Sequence, residues 1–112
     1  MIYNVDIKDD EFDEFEKESD NVAIFQILDS EGFDITKSSR AILSLSRNGL
    51  LGLGTELIRL AHHFHEGKHV HLEPTEKEMM IQRLGILLTP DSGELIIACG
   101  NTGCIDDYFE KN

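Results

Sequence analysis

Apolar and polar positions alternate over several short stretches of the chain, which is the pattern of half-buried strands. Such alternation occurs at residues 3–7 and again at 41–46. The run 22–28 is rich in β-branched and aromatic residues and ends at the turn-like sequence of residues 29–32, as a strand does before a tight turn. These stretches predict three strands in the first half of the chain.

One helix is predicted between positions 48 and 67. Its apolar residues recur at spacings of three, four or one and form a single stripe, namely Leu50, Leu53, Leu57, Leu60, Ala61 and Phe64. Asn48 is placed to cap the start, and Gly67 to supply a left-handed residue at the end. Gly52 and Gly54 each lower helix propensity by about 1 kcal/mol, so either the helix packs closely on a sheet or it starts only near Thr55.

The last third of the chain predicts further strands. Residues 68–73 alternate and are followed by a proline, while the apolar runs 84–88 and 94–99 flank residues 89–93. The order Pro, Asp, Gly within that connection is typical of a hairpin loop. We therefore predict a hairpin formed by 84–88 and 94–99.

Together these elements predict a two-layer α+β fold: a mainly antiparallel sheet of about five or six strands with one long helix packed on one face. The 112 residues fit a single domain, 1–112. Within it we distinguish an acidic segment, 1–20, a core, 21–99, and an acidic tail, 100–112.

The protein is expected in the cytoplasm. No stretch resembles a membrane span or a signal peptide, so we expect no membrane association. Cys99 and Cys104 form no disulfide framework or zinc knuckle, which favours free thiols in a reducing compartment. Serines and cysteines lie in no recognised nucleophile motif. We expect neither an enzyme nor a cofactor.

Charge separates the first twenty residues from the rest. The chain has 22 Asp+Glu against 10 Lys+Arg, a net charge of −12. Nine of these acids and two bases lie in residues 1–20, a net of −7. Such a field repels nucleic acid and attracts basic proteins. The alternative is that the acidity serves only to keep the protein soluble. In that case residues 1–20 form a solvated surface.

Acidic and aromatic residues together predict a partner-binding site. Carboxylates steer a basic partner and aromatic side chains anchor it. The first candidates are Asp9, Asp10, Phe12, Asp13, Glu14, Phe15 and Glu16, and the second are Asp106, Asp107 and Glu110.

All five histidines lie between positions 62 and 71. Imidazoles with a carboxylate are the usual ligands of zinc, but no recognised metal-binding spacing is present. We predict no metal site. The alternative is a metal- or ligand-binding regulatory domain that uses His62, His65, His69, His71 and Glu73.

Four runs within residues 43–97 stand out together: LSLSRNGL (43–50), LIRLA (57–61), KHVHLEP (68–74) and SGELII (92–97). In these runs the chain resembles small bacterial immunity proteins of polymorphic or contact-dependent growth inhibition systems. This resemblance covers about half of the chain and carries no catalytic residue. It implies an antitoxin role, the tight inhibition of one cognate toxin.

The acidity and the resemblance together favour an immunity protein that neutralises a basic toxin, an RNase or a DNase. We expect a monomer in a 1:1 toxin complex and no binding of nucleic acid. The toxin's identity, its mode of inhibition and the oligomeric state of the free protein remain open.

Overall fold

The computed structural model describes residues 1–5, 7 and 19–109. They form two compact units. Unit 1 consists of residues 1–3 and 44–100, and unit 2 of the described residues within 4–43 and 101–112. The single domain expected from the length of the chain stays a prediction.

Unit 1 begins with a helix, α1, at Arg47–His62. The side chain of Ser46 caps it by accepting a hydrogen bond from the Gly49 N–H at 3.0 Å. The predicted helix is therefore confirmed, but the cap is Ser46 rather than Asn48, and the later start at Thr55 is wrong. The helix ends at His62, and the left-handed Gly67 (φ +87°) lies in the connection that follows.

Two antiparallel strands follow α1: β1 at His69–Leu72 and β2 at Leu95–Ala98. His69 lies opposite Ala98, and Leu72 lies opposite Leu95. The strand predicted at 68–73 is confirmed within these bounds. The predicted hairpin is wrong, because β2 pairs with β1 instead of with residues 84–88.

The sheet predicted from the sequence, with five or six strands, is also wrong: the described residues contain one α-helix and a sheet of two strands. Residues 83–86 explain one lost strand. Arg83 and Ile86 exchange backbone hydrogen bonds at 3.1 Å across a two-residue turn, in which Leu84 and Gly85 have φ of +48° and +75°. Positive φ at both turn positions is incompatible with an extended strand.

The other missing strands lie in the first half of the chain. The run 22–28 contributes only an isolated bridge between Leu28 and Asp34. Residues 41–46 contain no strand and lead directly into α1. The described residues of 3–7 also lack strand pairing. The strands predicted in these stretches are therefore wrong, because none of their described residues pairs with a neighbouring strand.

The core lies within unit 1. Leu53 of α1, Leu72 of β1 and Ile86 of the 83–86 turn are buried together, and Cys99 is buried directly after β2. Half-buried apolar residues pack around this cluster, namely Leu45, Val70, Leu84, Leu88, Leu95 and Ile97.

The helix approaches the 83–86 turn very closely. A Cβ atom on Gly52 would overlap the carbonyl group of Gly85, so only glycine fits there. The close packing predicted for Gly52 exists, but against a turn. As a result the predicted apolar stripe is covered only in part: Leu53 is buried, whereas Leu50 and Phe64 are exposed.

Candidate functional site

Two of the predicted partner-binding residues, Asp106 and Asp107, lie in a 3₁₀ helix of unit 2 at Ile105–Tyr108. Both are exposed. The Asp107 carboxylate accepts a hydrogen bond from the Cys104 N–H at 3.1 Å and so fixes the start of this helix. Asp106 makes no such side-chain bond among the described residues.

This C-terminal segment is fastened to residues 19–22. The Ile105 N–H donates to the Ser19 carbonyl at 2.9 Å, and the Thr102 hydroxyl donates to the Val22 carbonyl at 3.4 Å. The Tyr108 hydroxyl donates to the Thr102 carbonyl at 2.5 Å and braces the segment internally. Residues 102–108 are therefore held against the chain just after the acidic segment.

The hydrogen bond between Ile105 and Ser19 joins the end of the first acidic region, 1–20, to the second acidic region, 100–112. Asp20, the last acid of the first region, follows Ser19 directly in the sequence. It is therefore bonded to a residue whose carbonyl accepts a hydrogen bond from the Ile105 N–H, next to Asp106. The sequence shows two acidic regions but does not predict the contact between Ser19 and Ile105. The 85 positions between these residues contain no pattern that indicates it.

The remaining first-choice residues lie outside the described part of the chain. They are Asp9, Asp10, Phe12, Asp13, Glu14, Phe15 and Glu16, and from the second choice Glu110. Their role as partner contacts stays a prediction.

Charge is distributed unequally between the two sets of sequence stretches. Stretches 4–43 and 101–112 carry 15 Asp+Glu against 5 Lys+Arg, a net of −10. Stretches 1–3 and 44–100 carry 7 against 5, a net of −2. Most of the excess negative charge therefore lies in the stretches that form unit 2.

Unit 2 also contains a tight turn at residues 27–36, which includes the turn predicted at 29–32. The Ile35 N–H donates to the Ile27 carbonyl at 2.8 Å, and the Asp29 N–H donates to the Phe33 carbonyl at 2.9 Å. The Asp29 carboxylate accepts from the N–H groups of Glu31 and Phe33, both at 2.9 Å. We call this segment the 27–36 turn.

Asp34 fixes the far end of the 27–36 turn. Its carboxylate accepts hydrogen bonds from the Thr36 hydroxyl at 2.5 Å and from the Thr36 N–H at 2.9 Å. These two bonds, assisted by one from Gln26, lower the pKa of Asp34 below its ordinary value. The signal for the turn was available in the sequence, because Asp at the start of a turn and Asp two residues before Thr are typical of side-chain caps.

The five histidines do not form one group. On α1 and just after it, the Nδ1 atoms of His62 and His63 lie 2.9 and 3.0 Å from the carbonyl oxygens one turn earlier. The ring of His62 also packs on Tyr3, with centroids 4.1 Å apart. The Nδ1 of His65 lies 3.0 Å from the Glu66 carbonyl. These rings are engaged locally.

His69 and His71 lie on the exposed face of β1, as the alternation predicted. Their ring centroids are 5.0 Å apart, and His71 Nδ1 lies 3.6 Å from a Glu94 carboxylate oxygen. Among the residues described, no three His, Cys, Asp or Glu side chains lie close enough to hold a metal ion. The alternative use of His62, His65, His69, His71 and Glu73 as one site gains no geometric support.

Comparison with known proteins adds no relative. Neither a family model, nor a curated protein, nor a solved structure matches the chain. The resemblance to immunity proteins therefore stays a prediction. Within the described ranges, no helix combines the length and the apolar content needed to cross a bilayer.

Proposed function

We propose that this chain is an immunity protein that binds and neutralises a cognate basic toxin, a nuclease of a contact-dependent inhibition or related system. It acts in the cytoplasm of the producing cell. The observation that carries the proposal is the hydrogen bond between Ile105 and Ser19, which joins the two acidic regions.

That contact matters because electrostatic attraction adds over nearby charges. Carboxylates gathered in one region focus the field, raise the rate of association with a basic protein and lose this advantage as salt is added. A nuclease must display Arg and Lys where it holds phosphates, and carboxylates can pair with those groups. An acidic region of unit 2 therefore complements the active-site groove of such a toxin.

The first test is co-expression of the tagged chain with the product of the neighbouring reading frame. We expect a complex that protects cells from the toxicity of that product and that associates more slowly as salt increases. A neighbour that is toxic but forms no complex with the chain would overturn the proposal.

A pair of charge-reversal variants tests the location of the attraction. Asp20→Lys with Asp106→Lys changes two exposed acids next to Ser19 and Ile105, while Glu66→Lys with Glu78→Lys makes the same change of net charge in unit 1. We expect the first variant to slow association about tenfold at low salt and the second to change it much less. Equal effects would show that only net charge matters.

A further inference from the structure

The 27–36 turn and the residues before it expose several large apolar side chains. Ile24 is 58% exposed, Phe25 60%, Leu28 58% and Phe33 64%. We call these four residues the turn surface. Apolar side chains exposed singly are normal in proteins, but several in one short segment, next to polar residues, are typical of a recognition surface.

The backbone that carries Leu28 and Phe33 is already ordered by local hydrogen bonds. Beyond those made by Asp29 and Asp34, the Ile27 N–H donates to the Thr36 hydroxyl at 3.0 Å, and the Ser39 hydroxyl donates to the Ile35 carbonyl at 2.5 Å. A surface held in place before binding loses less conformational entropy when a partner docks. Leu28 and Phe33 therefore lie on a backbone that is ordered before a partner binds.

An open groove of about 520 Å³ runs beside this surface between Phe25 and the Asp34–Ser38 segment. Its lining includes Phe25, Asp34 and Lys37. The ring of Phe25 and the carboxylate of Asp34 suit the apolar stem and the cationic head of an arginine side chain.

The charge of unit 2 indicates which kind of molecule binds the turn surface. The sequence stretches of unit 2 have a net charge of −10, so a second copy docked face to face would meet strong repulsion, and nucleic acid or an anionic membrane would be repelled as well. A basic protein is attracted, and Asp29, Glu31 and Asp34 supply acids beside the apolar residues.

We propose that the turn surface is the apolar anchor of the interface with a basic partner protein, which contributes an apolar pocket rimmed by Arg and Lys. This inference rests on the proposed function and names the part of the described structure that performs it. The acidic regions accelerate the encounter, and the turn surface sets the lifetime of the complex.

The test compares Phe25→Ala with Phe33→Ala in one variant against Phe64→Ala, which removes an aromatic side chain of similar exposure (55%) from unit 1. Binding to the product of the neighbouring reading frame is measured by surface plasmon resonance. We expect the double variant to raise Kd by about thirtyfold or more, mainly through faster dissociation, and Phe64→Ala to leave it within about twofold.

A second pair of variants tests whether the shape of the turn matters. Asp29→Asn keeps the oxygen that accepts from Glu31 and Phe33, whereas Asp29→Ala removes it. We expect the alanine variant to weaken binding clearly more than the asparagine variant.

The outcomes separate the two proposals. If the wild-type chain binds the neighbouring product and the double variant binds equally well, the turn surface is not the anchor, while the proposed function stands. Loss of self-association in the double variant, seen by sedimentation, would assign the surface to a second copy instead. If the wild-type chain does not bind, both proposals fail.

Discussion

Units 1 and 2 achieve order by different means. In unit 1, α1 and the β1–β2 sheet bring Leu53, Leu72 and Ile86 into a buried cluster. In unit 2, none of the described residues is buried. Its turns are held by hydrogen bonds between the backbone and the side chains of Asp, Ser and Thr, as in the 27–36 turn. Unit 1 buries part of its apolar side chains and leaves others exposed, such as Leu50 and Phe64, whereas the described part of unit 2 buries none.

The difference assigns separate roles to the units. Burial of apolar surface stabilises unit 1 internally, and the nearly balanced charge of its sequence stretches gives it little long-range attraction. Unit 2 combines exposed aromatic residues, side-chain caps and a strongly acidic sequence, all of which suit contact with a basic protein. In the function that we propose, unit 1 is the scaffold and unit 2 is the binding unit.

The largest expected effect contrasts a core leucine with a surface leucine. Leu72→Ala removes the most completely buried side chain (1% exposed) and should lower the free energy of unfolding by about 2–5 kcal/mol. Leu28→Ala, in the turn surface, should change it by less than about 0.5 kcal/mol. Urea unfolding followed by circular dichroism at 222 nm measures both. Similar losses would contradict the division into scaffold and binding surface.

A glycine pair on α1 tests the scaffold more finely. Gly52→Ala places a Cβ atom against the Gly85 carbonyl and should destabilise the protein by about 1–3 kcal/mol. Gly54 has no atom within 4 Å of the added Cβ, so Gly54→Ala should stabilise α1 by about 0.5–1 kcal/mol. Thermal unfolding of the two variants should therefore shift in opposite directions. A stabilising Gly52→Ala would show that α1 does not meet the 83–86 turn.

The smallest expected effect is a pH dependence confined to unit 2. Because the pKa of Asp34 is lowered in the folded chain, its contribution to stability is present above the unfolded pKa, about 3.9. It is lost as the pH falls through the lower folded pKa. In an acid titration followed by NMR, the Thr36 amide should shift with a midpoint below that ordinary value, and Asp34→Asn should abolish the shift. An unchanged titration in Asp34→Asn would contradict this assignment.

The sequence predicted those parts of the fold that depend on strong local patterns. The apolar periodicity of α1 and the alternation of β1 both gave elements that the structure contains. The cap was misplaced by two residues because Ser46 and Asn48 are both good N-caps, and only the Ser46 oxygen meets a free N–H, that of Gly49.

The sequence failed where pairing between distant segments decides the structure. β2 was recognised as apolar, but its partner was assigned to the nearest apolar run, and the positive φ angles of Leu84 and Gly85 exclude that run from the sheet. Residues 22–28 predict a strand because β-branched and aromatic residues are typical of strands. Their exposure in the structure is a property of unit 2 that no local pattern encodes.

The partner-binding role of the acidic and aromatic residues stays a prediction. Of these residues the structure describes Asp106 and Asp107, which are exposed. The turn surface was missed, because a run containing Ile24 and Phe25 favours a strand in the core. The hydrogen bond between Ile105 and Ser19 joins residues that are too distant in the sequence for a spacing pattern to predict their contact.

The most direct test of the central claim, that unit 2 binds a basic partner, is hydrogen exchange of the chain with and without the product of the neighbouring reading frame. The account predicts slower exchange on binding at residues 22–36 and 101–109, with α1, β1 and β2 little changed. Protection confined to α1, β1 or β2, or the absence of any complex, would contradict it.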